Sequence, residues 1–341
     1  MKKLSKYNDP VNYSNIACDF GFGEEKVPDQ AVYAAYEEEE VIATLLPYNG
    51  RPVEDIMAMF DAVDLAMIEE IGRSKCLSSL QIYQFVTLRG LSVKRKGIRK
   101  RLNKMMKNHL VREYEIRLTD ATKGVRCYEL DYKGALIAKH MGVKFHMGNR
   151  YMDEQEKAEL GFYNTAEDMK RILVGNMIVL GLLMNQASIE RFGILETMRP
   201  VSDTPITDGC ILRTVANVQI DEDSLLLYEV VRSTPNAMGP LENKMKRYYK
   251  LLNSEAYQNS NYYGYSALPQ MVICGENYEH NQQINQYLRS RGLYSEKDSV
   301  LYTEDLLYVQ STLQNLYELD EEGNRTWYCL PAKQTREMVI A

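Results

Sequence analysis

The sequence predicts an α+β protein of two parts: a small helical module closed by a β-hairpin, then a layered α/β domain with a mixed central sheet. Three observations lead there. Short helical patterns between residues 62 and 107 run directly into a strand–turn–strand pattern. The second half alternates strand-like and helix-like stretches. Between the two, residues 142–161 are polar and bridge them.

The first 30 residues are polar and turn-rich and read as an irregular arm, with Gly21 and Gly23 a lone G-x-G that no strand precedes. Ala31–Leu46 has helical character, although Glu37–Glu40 crowds four carboxylates together, as a solvated face or as a decoy for basic groups elsewhere. Pro47-Tyr48-Asn49-Gly50-Arg51-Pro52 is a strong turn cluster. Ala62–Ser74 then places Val63, Leu65, Ala66, Ile68 and Ile71 toward one side. Ser78 is positioned to cap a second helix, Ser79–Thr87, and Gly90 supplies the turn after it. Ser92 is positioned to cap a third, which buries Ile98, Leu102, Met105 and Met106 and leaves Lys94, Arg95, Arg99, Arg101 and Lys104 outside. Leu110–Leu118 and Val125–Leu130 read as strands joined by a turn at residues 119–124, and Tyr132–Met141 as a closing helix.

The second domain opens with a long apolar helix, Thr165–Asn185, expected as its core helix, with a dimer face as the other use. Strands are expected at Ser188–Leu195, Cys210–Val218, Leu225–Val231, Pro269–Cys274 and Ser299–Tyr302, and helices at Pro240–Leu252, Tyr278–Ser290 and Leu306–Tyr317. The domain plan is therefore an arm and helix over residues 1–57, the module over 58–142, a linker over 143–163, and the α/β domain over 164–341.

A chain of 341 residues is long enough for two or three domains. Its 45% hydrophobic and 26% charged residues describe a globular protein rather than a disordered one. Tyr outnumbers Phe by 25 to 7, so many buried rings carry hydroxyls that need partners, and some are expected at an interface. The six Cys form no CxxC pair and only four His are present, which argues against structural zinc and for reduced thiols in a cytoplasmic protein. Met1-Lys2-Lys3 meets Asn8-Asp9-Pro10 rather than an apolar stretch, so no signal peptide is expected. Ile172–Met184 is too short to span a bilayer comfortably, and no membrane partner is expected.

Charge is the most informative property. The net charge is −6, yet residues 51–150 hold 20 Lys and Arg against 11 Asp and Glu, and the rest of the chain 21 against 36. Val93–Lys107 alone carries eight cationic groups and no acidic one. Clustered cations repel, so a folded protein keeps such a run most readily when a polyanion answers it. A basic helix that follows an apolar helix and precedes a hairpin is how a winged helix-turn-helix presents its recognition helix. Double-stranded DNA is the expected partner. Ser92, Lys94, Arg95 and Lys96 would meet the groove, Arg99, Lys100 and Lys104 the phosphates, and Lys123, Arg117 and Arg126 would sit on the wing. The bland reading is a solvated face matched by the protein's own acids.

Further motifs add a resemblance. Tyr128-Glu129-Leu130-Asp131-Tyr132-Lys133-Gly134-Ala135 leads from the hairpin into a helix, and an acidic-Gly pair follows at Asp208-Gly209. The strand Leu227–Thr234 precedes Leu241–Tyr248, an L-x-x-K-x-x-x-Y helix. In that order, over roughly residues 58–320, the chain resembles the replication-relaxation family of bacterial plasmids and mobile elements. The resemblance implies a winged helix followed by a restriction-endonuclease-like domain, with a role in replication, transfer or control of such an element. Winged-helix modules commonly work as dimers on paired half-sites, so a homodimer is expected, and a replication or relaxosome protein is the partner expected of an interaction role for the Tyr-rich second domain.

In the nuclease fold an Asp and an acidic-x-Lys triplet gather a divalent cation and a water. Asp208 and Glu229 would be the carboxylates here, but the triplet is Glu229-Val230-Val231, with no Lys in place. Lys244 could supply it from the next helix, and Glu190 could add a ligand from the first strand. The expectation is a degenerate site in which Asp208 caps a turn and Glu229 pairs with Arg232 or Lys244. No cofactor is then expected, and Mg2+ or Mn2+ belongs only to the alternative of a working nuclease. A third alternative is a protein-interaction adaptor. No Walker-type loop, His-rich cluster or Ser/His/Asp set is apparent.

Overall fold

A computed structural model describes residues 5–7, 33–36, 38–44, 46–47, 49–143, 165–198, 212–221, 224–253, 268–294, 300–310 and 313–331. The chain is a mixed α+β protein that divides into two compact units, Ala35–Asn176 and the remainder. The remainder joins the N-terminal segment containing β1 (Ser5–Tyr7) to everything from Met177 onward.

The unit Ala35–Asn176 contains β2 (Glu39–Ala43), α1 (Val53–Met57), α2 (Ala62–Ser74), β3 (Leu77–Ser78) and α3 (Ser79–Leu88). These are followed by α4 (Arg95–Lys107), β4 (Val111–Leu118), β5 (Val125–Leu130) and α5 (Tyr132–His140). The strands form one antiparallel sheet in the order β2-β4-β5-β3. Helix α2 packs on α3 and α5, α3 on α4, and α4 on β4. Buried Met67, Ile68, Ile71, Ile82, Phe85, Ile98, Leu102, Met105, Leu110 and Ile137 fill the space between them. Reciprocal capping boxes start two of these helices, Asp61 with Asp64 for α2 and Ser78 with Gln81 for α3. The Gly134 of the helix-entry motif has a simple cause: a Cβ there would stand 1.9 Å from the Leu110 carbonyl oxygen, so only glycine lets α5 start against that backbone.

Two local expectations change. Residues 31–46 form no helix among the described positions; Glu39–Ala43 is strand β2, paired with β4 from Glu39↔Leu118 to Ala43↔Tyr114. Helix propensity loses here to ladder bonds and to charge pairing. Glu39 meets Lys170, Glu40 meets Arg117, and among the described residues neither forms an ion pair with the basic helix. Glu37 lies outside the described residues. Second, Ser92 does not cap α4. Lys94 holds the N-cap position in extended conformation, and no side chain bonds the first turn.

Helix α6 (Ala166–Met184) begins in this unit and continues into the other. Its Asn176 Nδ2 donates to the carbonyls of Ser74 and Cys76, both at 3.0 Å, at the end of α2.

The second unit is built on an eight-stranded mixed sheet. It contains β6 (Arg191–Ile194), β7 (Thr197–Met198), β8 (Leu212–Arg213), β9 (Ala216–Asp221), β10 (Ser224–Val230) and α7 (Met238–Leu252). Then come β11 (Leu268–Gly275), α8 (Tyr278–Ser290), β12 (Leu301–Glu304), α9 (Asp305–Gln310), β13 (Leu316–Leu319) and β14 (Arg325–Cys329). The sheet order is β1-β14-β13-β12-β11-β10-β9-β6, parallel from β10 through β12 and antiparallel elsewhere, while β7 and β8 pair separately. Helices α7 and α8 are the crossovers between the parallel strands. They bury Leu241, Met245, Tyr248, Ile284 and Leu288 against Leu225, Leu227, Met271, Ile273 and Tyr302.

The expected strand Cys210–Val218 is two, β8 and β9, with Cys210 outside the described residues. The expected last helix, Leu306–Tyr317, stops at Gln310, and Leu316–Leu319 is a strand. There Tyr317 pairs across to Trp327, and its hydroxyl donates to Glu304 at 2.8 Å. Among the described residues no helix is long and apolar enough to cross a membrane.

Candidate nucleic-acid interface

Helix α4 has thirteen residues, about 20 Å of helix. Ile98, Leu102 and Met105, spaced four and three apart, are its buried face. The opposite face is Lys96, Lys100, Asn103 and Lys107, spaced four, three and four, with Arg99 and Lys104 beside it; all six are exposed. Lys94 and Arg95 are exposed at its start, as is Ser92 in the preceding loop. The amides of Gly97 and Ile98 both donate to Lys94 O, at 2.7 and 3.3 Å. With no side-chain cap and no acid in the first turn, the positive end of the helix dipole adds to Lys94, Arg95 and Lys96.

The far end of α4 is held from outside. Asn49 Nδ2 donates to the Lys107 carbonyl, and Lys133 Nζ holds the Asn49 segment through the carbonyls of Asn49 and Arg51, each at 2.8 Å. His109 turns the chain away with φ of +56°. Asn49 and Arg51 of the turn cluster thus form a clamp on the end of the basic helix.

One cation of the run is turned inward. Arg101 donates to Asp61 at 2.7 and 2.8 Å and to Asp64 at 2.7 Å, and its guanidinium holds the Asp61 carboxyl below the usual carboxylate range. These are the capping-box acids of α2, distant in sequence, so nothing local to Val93–Lys107 signals the pairing. Lys104 keeps its exposure but leans on Met59 O at 3.4 Å and lies 6.0 Å above the Phe60 ring. Among the described residues Lys94, Arg95, Lys96, Arg99, Lys100 and Lys107 have no ion-pair partner.

The hairpin is different. Arg117 Nε lies 3.1 Å from Glu40, and Arg126 lies 3.6 Å from Glu115 and 3.9 Å from Glu113. Both arginines were expected to join the basic surface, yet acids on the neighbouring strands β2 and β4 compensate them. Lys123, exposed at the turn, is the hairpin cation that stands apart. Behind this face, burial pushes the Glu129 carboxyl up to about 7, although Tyr114 OH donates to it and Arg112 lies nearby. Arg112 itself is bound to Asp131 at 2.7 Å.

The chain matches no family model, no curated protein and no solved structure in the comparisons. The reading of its surface therefore rests on its own geometry.

The second constellation is only partly assembled. Glu229, on the same face of β10 as Leu225 and Leu227, looks onto α7, where Lys244 Nζ lies 2.5 Å from its Oε2. Arg232 is not the partner of Glu229. It forms a fully buried bidentate pair with Asp305, at 2.7 and 2.8 Å. Glu190 accepts from Gln219 Nε2 at 3.0 Å. Gln219 faces Leu225, four residues along β10 from Glu229, so about 13 Å separates them at roughly 3.3 Å per residue. Asp208 lies outside the described residues. Among the described residues no group of three or more His, Cys, Asp or Glu converges as a metal set. Glu229 and Glu190 therefore do not converge on one point.

Proposed function

We propose that this chain binds double-stranded DNA through α4, as a sequence-directed factor of a plasmid or mobile element acting in replication, transfer or control. The observation that carries the reading is the outward face of α4: Lys94, Arg95, Lys96, Arg99, Lys100 and Lys107 are exposed and, among the described residues, form no ion pair. A helix about 20 Å long fits a major groove about 12 Å wide, and its flanking cations then reach phosphates on both sides. The element order α2-β3-α3-α4-β4-β5 supports a winged helix-turn-helix, with Lys123 at the wing tip.

The antiparallel β6-β9-β10 meander followed by α7 and β11 supports a restriction-endonuclease-like reading of the second unit. The ion pair that consumes Glu229 on Lys244 favours a degenerate site, and no catalytic step is assigned to it. A homodimer and a replication or relaxosome partner complete the proposal.

The test is fluorescence anisotropy of a labelled 20-bp duplex with the full chain. A variant with Lys94, Arg95, Arg99 and Lys100 all replaced by Ala is compared with the parent. Arg99 and Lys100 are the phosphate contacts among the four, and each one lost flattens the log–log salt dependence by about 0.9, so the slope falls by about 1.8. At 0.15 M salt that is on the order of thirtyfold in affinity, to which the lost groove contacts of Lys94 and Arg95 add. All four side chains are exposed, so the circular dichroism spectrum should not change. An unaltered slope and affinity would overturn the proposal, and light scattering of the same samples reports the oligomeric state.

A further inference from the structure

On the reading of α4 as a DNA-binding helix, we infer that Asn103 is its base-reading residue and that the base it selects is adenine. Asn103 sits in the middle of the outward stripe, three residues after Lys100 and four before Lys107, with Arg99 one turn back. Among the described residues its side chain makes no hydrogen bond. Other asparagines near helix ends behave differently. Asn108 donates to Lys104 O at 2.8 Å, Asn185 to Gly181 O at 2.8 Å, and Asn253 to Tyr249 O at 2.9 Å, each satisfying a carbonyl four residues back. Asn103 caps no helix end, and it is exposed. In a helix interior asparagine is also a poorer helix former than the lysines and arginines around it, so folding does not explain its presence.

Reach separates its role from that of its neighbours. The long side chains of Arg99, Lys100 and Lys104 around it extend past the helix to the phosphates, which position the protein but carry little sequence information. A short amide on the line of the helix lying deepest in the groove reaches a base edge instead. Its carbonyl oxygen and amino group present one acceptor and one donor side by side, and adenine offers the complement at N6 and N7. Lysine and arginine have no acceptor and cannot make that pair.

The test is affinity selection from a random 20-bp duplex library, followed by sequencing, with the full-length parent, N103A and the fourfold Ala variant. The parent should enrich adenine at one position by about tenfold or more over the other bases. N103A should bind the unselected pool within about threefold of the parent yet lose that enrichment, because the phosphate contacts are intact. N103A with the parent's adenine preference, or a parent that binds the pool without enriching adenine, would overturn the assignment and leave the DNA reading standing. A parent that binds no duplex would overturn both.

Discussion

Glu129→Gln is expected to stabilise the unit Ala35–Asn176 at pH 8 and to leave it unchanged near pH 4. The Glu129 carboxyl is held at about 7 from an ordinary 4.5, chiefly because burial disfavours its charged form. The folded chain therefore keeps a proton between those values that the unfolded chain has released. Stability is highest below about 4.5, falls as pH rises toward about 7, and is flat above that. The gap is worth about 3 kcal/mol, on the order of a hundredfold in the opening equilibrium. Gln carries no charge, and its carbonyl oxygen can still accept from Tyr114 OH, so the variant escapes this loss. Trp327 is the single tryptophan and belongs to the other unit, so fluorescence is the wrong probe. Hydrogen exchange of peptides covering residues 111–130 reads the strands that carry the group. Parent and variant should exchange alike at pH 4, and the variant should be the better protected at pH 8. Equal protection at pH 8 would show that Glu129 is ionised in the fold at no cost, and the burial argument would fail.

Two other substitutions separate surface from interior electrostatics. Arg101→Ala removes both ties to the α2 capping box, and because the guanidinium is partly exposed the cost should be about 1 kcal/mol, read as a small drop in Tm. Its effect on duplex affinity should be smaller than that of Lys100→Ala; a larger effect would mean that Arg101 swings out to meet DNA. Asp305→Ala strands the fully buried Arg232 guanidinium without its bidentate partner, and about 3–5 kcal/mol should be lost from the second unit. Urea unfolding followed by Trp327 emission measures it, and a midpoint close to the parent's would show that Arg232 finds solvent or another acceptor.

The parts of the fold that read clearly from sequence are those whose signals are local. The period of Ile98, Leu102 and Met105, the cap at Ser78 and the apolar strands around Leu227 and Ile273 each declare themselves within a few residues. The misread parts depend on distant partners. Glu39–Ala43 looks helical until β4 offers it a ladder, and Leu316–Leu319 looks like the end of a helix until β14 pairs with it. The interface follows the same rule. The charge of α4 was legible, but the inward turn of Arg101 depends on Asp61 and Asp64, and the compensation of Arg117 depends on Glu40. Asn103 was passed over because its weight comes from where it stands among the cations, not from its residue type.

The clamp at Asn49 and the anchor at Asn176 bear on how this chain can be dissected. A fragment trimmed to residues 58–142, the boundaries that the sequence alone suggests, would delete the strand beside β4, the amide that meets the last carbonyl of α4, and the helix that braces the end of α2. Such a minimal piece would fray at Lys104 and Lys107, where Asn49 holds the end of α4 in the intact chain. Excision between residues 35 and 176 keeps all three supports.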